Sequence, residues 1–287
     1  MLDRSKFLSR TDLGLPVSYQ LGEDLPMLSS DQQKTIDTLC QTYKGPLRLD
    51  QIAEGIAACI DNAAQLYDDG LSLLNANRHP RAMSLFIAAM EEVGKVSVLC
   101  SMSRIPSSNQ ALWSDYWRDF RCHRSKATRA FVHTFPEEAR KYPAQMGVAA
   151  NMQFELSPLG ESFRQAGMYV DFLAGDKCWM SPSDVPRTEA ESWKRRLDTA
   201  LSRVQEQAEL GFFSTRALEI QREVYGPINT DRPKRKDSQP RDNRDVTSKA
   251  LAAHQDYYRR LVDEGILNRY ADIQVMGVPL KEFIDGP

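Results

Sequence analysis

Proline placement is the strongest constraint on what this chain can fold into, because a proline inside a helix removes a donor and clashes with the preceding turn. Between Pro46 and Pro136 only Pro80 and Pro106 occur, which leaves three long segments free to be helical. In the first, Ile52, Ile56, Ile60, Ala63, Tyr67, Leu71 and Leu74 recur every three or four residues, the pattern of a helix with one apolar face that ends near Asn75-Ala76-Asn77. Pro80 then suits a first helical turn, where its missing N–H is not needed. The second helix runs to about Ser103 with Ala82, Leu85, Ala89, Glu92, Val96 and Leu99 turned inward. A turn at 105–109 leads to a third, which carries Trp113, Trp117, Phe120, Ala127 and Phe131 on one stripe and ends by Pro136.

Beyond Pro158, Phe163, Ala166, Val170 and Leu173 give helical spacing over 159–174, with Gly175 at the position of a C-terminal cap. The proline-free stretch from Thr188 to Tyr225 reads as one long helix, bending at Gly211. Sustained alternation is absent between Asp50 and Tyr225, so the expected architecture is an all-α bundle. Residues 229–249 are charged and nearly free of apolar side chains, too poor in burial to offset ordering entropy, and read as a flexible linker. The expected organisation is an N-terminal extension over 1–49 with a weak helix from Asp31 to Tyr43, a bundle over 50–226, a linker over 227–249 and a helical tail over 250–287. That tail is too small to fold alone and should dock on the bundle or on a partner.

With 287 residues the chain can bury a core without disulfides or metals. A net charge of −2 means that any nucleic-acid surface must be a local basic patch. Five cysteines at wide spacings, with no C-x2-C pair, read as reduced, buried thiols of a cytoplasmic protein, not as zinc ligands. No apolar run is long enough to cross a bilayer, and the N-terminus lacks the apolar centre of a signal peptide. No membrane, metal or cofactor is expected.

Chemistry-bearing residues gather in three short stretches: Glu91-Glu92-Val93-Gly94-Lys95, Arg118 to His123 with Lys126 beyond, and Met168-Tyr169-Val170-Asp171. Helical phase puts Glu92 on the inward stripe, paired with Lys95 three residues on. The same periodicity aligns Asp119, His123 and Lys126 on one face, where the Asp119 carboxylate could orient the imidazole. Arg118 lies five residues before His123, about 140° away on a regular helix. Either that helix is distorted or a second protomer completes the site.

Arg118 and His123 read R-x4-H, the signature of the helical HEPN (higher eukaryote and prokaryote nucleotide-binding) ribonucleases. With the E-E-x-G-K stretch, the H-x-x-K of His123 to Lys126 and the Y-V-D of Tyr169 to Asp171, the region from Ile52 to Pro186 resembles the AbiV abortive-infection family of that superfamily. The resemblance implies a HEPN-like helical bundle with N- and C-terminal helical extensions. It also implies metal-independent RNA cleavage, with His123 as general acid and base at the ribose 2′-OH and Arg118 stabilising the phosphorane. The products would be 2′,3′-cyclic phosphate and 5′-OH ends. Asp119, Lys126, Glu92 and Lys95 would support the pair, and Tyr169 and Asp171 would contact a base or a partner. The partners expected are RNA, a second copy of the chain, and a phage protein as trigger or a cognate antitoxin. The competing expectation is a non-catalytic RNA- or protein-binding module that arrests translation or phage development.

Overall fold

The computed structural model describes residues 29–30, 43–131, 162–173, 178–228, 243–267, 273–275 and 278–285. The chain divides into 1–43 and a second unit, Lys44–Pro287. The expected N-terminal helix from Asp31, the end of the third helix near Pro136, Gly175 and most of the stretch read as a linker lie outside the described residues.

Helix α1 spans Leu49–Asn75. At its start the Gln51 side chain accepts the Arg48 N–H at 3.0 Å, satisfying a donor that the helix itself cannot. Ile52, Ile56, Ile60, Ala63 and Leu74 are buried along one face, as their spacing predicts. The helix ends through Asn77, whose φ of 57° lies in the left-handed region, and α2 follows from His79 to Met102 with Pro80 in its first turn.

Helix α2 forms the centre of the bundle. Packing against α1 and against the helices over His123–Phe131 and Arg187–Glu209 buries Ala82, Met83, Phe86, Ile87, Met90, Val93, Val96 and Leu99, residues distributed around the helix and not confined to a stripe. A helix covered on several sides has no single inward phase, which corrects two expectations. Leu85 is only partly buried. The buried carboxylate is Glu91, at 5% exposure, while Glu92 lies at the margin and pairs with Lys95 at 2.6 Å.

The third helix differs more. Helix α3 runs from Gln110 to Arg121, started by the Asn109 side chain, which accepts the Leu112 N–H. Cys122 then adopts extended backbone, with φ −79° and ψ 117°, and a separate helix α4 begins at His123 and reaches Phe131. The Cys122 N–H donates to Arg118 O and Asp119 O, and the Cys122 carbonyl accepts from Lys126 N. One residue thus closes α3 and opens α4. No Pro or Gly marks the break; the Arg129–Asp119 ion pair across it and the Glu91 contacts to α4 favour it.

Residues 162–168 are helical, yet Asp171–Leu173 is a strand, β1, paired antiparallel with β2, Cys178–Met180, with Phe172 opposite Trp179. The helix expected to continue to 174 therefore stops near Met168, where the aromatic and β-branched run Tyr169-Val170-Asp171-Phe172 favours extended backbone. The predicted helix from Thr188 to Tyr225 is also two. Helix α5, Arg187–Glu209, buries Ala190, Trp193, Leu197, Leu201 and Val204. Gly211 turns the chain with φ +90°, and α6 spans Thr215–Tyr225 behind Ser214, whose side chain accepts the Ala217 N–H.

Helix α7, Asn243–Asp263, starts inside the stretch whose composition reads as a linker, so 243–249 is helix. A short hairpin of β3, Gln274–Val275, and β4, Val278–Pro279, precedes α8, Leu280–Asp285. Tyr257 and Leu261 of α7 and Leu280 and Phe283 of α8 close over Ala217 and Ile220 of α6 in a second apolar cluster. Arg104, just past α2, ties that layer down by donating to Tyr225 O at 3.0 Å and Gly226 O at 2.9 Å. The protein is all-α apart from these two small hairpins among the described residues. No helix among them is long and apolar enough to cross a membrane.

Of the described cysteines, Cys59 is buried and Cys100 partly so, but Cys122 and Cys178 are exposed, against the expectation of uniformly buried thiols. Burial pushes the Cys59 and Cys100 thiols up to about 12.

Candidate active site

Glu91 organises the site. Its carboxylate, 6% exposed, meets His123 Nδ1 at 2.5 Å and Lys126 Nζ at 3.2 Å, with Arg164 Nε at 3.8 Å. Lys126 is itself only 7% exposed, so two opposite charges have been withdrawn from water together. Such a pair persists only if each partner compensates the other, and removing one typically costs about 3–5 kcal/mol.

Helices α2 and α4 can bring these groups together because residue 94 is glycine. A Cβ there would stand 1.9 Å from the Lys126 carbonyl oxygen, so any larger residue would force the two backbones apart. Gly94 lies one turn beyond Glu91, which places the closest approach of the helices beside the ion cluster. A glycine inside a helix costs about 1 kcal/mol against alanine, and close approach is what that cost allows.

The carboxylate fixes the chemistry of the imidazole. An ionised Glu91 can only accept, so Nδ1 carries the proton and donates it, and in the neutral ring Nε2 is left as the acceptor. The His123 side chain is 49% exposed, and its Nε2 has no hydrogen-bond partner among the described residues. His123 is also the first residue of α4, where the helix dipole favours an approaching anion.

The other expected residues fall into place unevenly. Arg118 is 73% exposed and pairs with Asp115 at 3.1 Å, a surface contact worth about 0–1 kcal/mol and readily exchanged for another anion. Because the chain breaks at Cys122, the angular separation computed for a continuous helix does not apply to Arg118 and His123. Asp119 does not orient the imidazole. It accepts from Ser125 Oγ and from Arg129 Nη2, each at 3.3 Å, and so braces α3 against α4 across the break. Lys126 serves Glu91 instead of sharing a face with Asp119. Lys95 bridges Glu92 and the Phe120 ring, 5.2 Å from its centroid, outside the His123 cluster. Tyr169 is 59% exposed, and Asp171 pairs with Met180 in the β1–β2 hairpin. Among the described side chains the partners of Glu91 are His123, Lys126 and Arg164.

Sequence reasoning missed Glu91 and Arg164. Glu91 sits in the doublet already singled out and was displaced by one position of helical phase; the internal glycine three residues on was the available signal for a helix crossing there. Arg164 carries no comparable signal. Among the described residues no three His, Cys, Asp or Glu side chains group as a metal site.

A family model for AbiV, of the HEPN class, matches residues 51–200, which hold α1 from its third residue, α2 to α4, β1, β2 and most of α5. The chain belongs to the AbiV family. It is thereby an abortive-infection member of the HEPN superfamily. No curated protein and no solved structure matches it. The matched segment contains Glu91, Gly94, Arg118, His123, Lys126 and Arg164, so the cluster around the buried carboxylate belongs to the AbiV portion of the chain, while α6, α7 and α8 lie beyond it.

Proposed function

We propose that this AbiV protein is a metal-independent endoribonuclease that acts as a toxin in phage defence. The observation that carries the reading is the Glu91–His123 contact: a buried carboxylate holds Nδ1 and leaves Nε2 on a half-exposed ring at a helix N-terminus. Nε2 would take the proton of a ribose 2′-OH, and the 2′ oxygen would attack the adjacent phosphorus. Glu91 would stabilise the resulting imidazolium. Arg118 would leave Asp115 for the phosphorane oxygens, and the His123 imidazolium would return its Nε2 proton to the 5′ oxygen as the P–O5′ bond breaks, leaving a 2′,3′-cyclic phosphate and a 5′-OH. A positioned base contributes about 10²–10⁴-fold to such a rate. On this reading the protein works in the cytoplasm as a homodimer, and a phage protein or a cognate antitoxin controls it.

The second reading, a non-catalytic module that arrests translation or phage development by binding RNA or protein, draws on exposed apolar side chains at Tyr169, Val170 and Trp179. Incubation of the purified protein with total RNA in chelator, beside the His123→Ala form, separates the two. New 2′,3′-cyclic ends that vanish with His123→Ala support the nuclease. Intact RNA with undiminished toxicity of His123→Ala refutes it.

A further inference from the structure

Two residues before His123, Arg121 is exposed on the last turn of α3, yet it is held in place. Its guanidinium carbon lies 5.0 Å from the Trp117 ring centroid, and Nη1 reaches back to the Trp117 carbonyl at 3.4 Å. The ring beneath is anchored in turn: Trp117 Nε1 donates to Gly45 O at 2.8 Å, and Phe120 meets it edge-on at 5.4 Å.

We propose that this Arg121–Trp117 stack is a nucleobase platform, on which the base flanking the phosphate served by His123 is held by stacking. The inference rests on the RNA reading above and extends it to a substrate class, single-stranded RNA with little base preference. A guanidinium plane is a surface on which unpaired bases stack, and every base offers a π-face to it. Holding the plane over an indole beforehand reduces the ordering cost at binding. The Cα atoms of Arg121 and His123 lie at most about 7.6 Å apart, which sets the platform and the imidazole beside each other on the surface where α3 gives way to α4. Arg118 is exposed on the same turn, which supplies a second cation on that surface. Double-stranded RNA has no splayed base to offer and would bind through phosphate alone.

The test uses full-length His123→Ala protein, so that nothing is cut, and two fluorescent probes of equal length: oligoadenylate and an abasic oligoribose phosphate. Arg121→Lys keeps the charge and removes the plane. Fluorescence anisotropy should show roughly tenfold weaker oligoadenylate binding for Arg121→Lys, with abasic binding unchanged and a wild-type circular dichroism spectrum. Equal oligoadenylate affinity before and after the substitution would overturn the platform while leaving the nuclease reading intact. So would an equal loss on both probes, which would reduce Arg121 to a phosphate contact. Failure of the parent to bind either probe would count against RNA as the substrate and overturn both.

Discussion

Substituting alanine at Gly94 tests the geometry of the site at its tightest point. The new Cβ would stand 1.9 Å from Lys126 O and 2.6 Å from its carbonyl carbon. The oxygen contact must open to at least 3.0 Å, so α4 would retreat by about 1.1 Å, because close-packed backbone has nowhere to deform. Lys126 and His123 are on the helix that moves, and their contacts of 3.2 and 2.5 Å with Glu91 would stretch beyond hydrogen-bond length. Overpacking costs about 1–3 kcal/mol and the weakened buried pair adds to it, against about 1 kcal/mol regained in helix propensity. A net loss of about 2–4 kcal/mol corresponds to a fall in Tm of roughly 5–10 °C for a protein of this size. Gly55→Ala is the control: its Cβ would meet the movable end of the Leu99 side chain, Cδ1 at 3.3 Å and Cδ2 at 3.9 Å, and Tm should hold or rise. Thermal unfolding followed by circular dichroism reads the stability, and long-range ¹H–¹⁵N correlation of the His123 ring reads whether Nδ1 still carries the proton. Equal melting of the two alanine variants, with an unchanged imidazole tautomer, would refute the close-approach argument.

Glu91→Gln should destabilise the fold by about 3–5 kcal/mol, since it leaves Lys126 buried without a counter-charge, whereas Glu92→Gln, at a partly solvated pair, should cost about 1 kcal/mol or less; urea unfolding of the two variants compares them. His254 Nδ1 shares a hydrogen bond of 2.6 Å with the Tyr225 hydroxyl, and burial lowers its pKa from the usual 6.5. The folded state therefore favours the neutral ring, so its stability contribution is present above pH 6.5 and is lost as the pH falls through the depressed value. His254→Phe should accordingly lose less Tm than the parent between neutral pH and pH 5, and parallel pH profiles would argue against a titrating His254. Iodoacetamide at pH 8 should label Cys122 and Cys178 well before Cys59 and Cys100, whose thiols burial holds at about 12; peptide mass spectrometry gives the order.

Much of the helical framework was legible because prolines and apolar spacing act locally. The gap between Pro46 and Pro80 and the stripe from Ile52 to Leu74 were enough to define α1. Apart from the turn at Gly211, which local chemistry explains, the errors arose where tertiary contacts overrule local pattern. Cys122 has no breaker chemistry, and its extended backbone follows from what Glu91 on α2 and Asp119 on α3 hold on α4 just beyond it, which no window of sequence displays. Glu91 and Glu92 could not be told apart because α2 is apolar around most of its circumference, and a helix wrapped by neighbours gives its phase no reference. His123 and Arg118 were found through motif spacing, but the partner of the imidazole was assigned within the same helix when it lies on another. Helical spacing carried the reading through Leu173, whereas the pairing of Asp171–Leu173 with Cys178–Met180 decides for strand.

The central position of α2 also bears on how the protein can be made. Its partners arrive in sequence order: α1 is already complete, α4 follows within about thirty residues, but α5 begins only at Arg187. Until the ribosome has delivered that helix, one flank of α2 is uncovered apolar surface on an emerging chain, and such chains are aggregation-prone. The Glu91–His123 pair could be synthesised early, yet the helix that carries Glu91 has no settled environment until some sixty residues later. A product of interrupted translation ending before α5 would therefore hold every residue of the pair and still lack the scaffold that makes it a site.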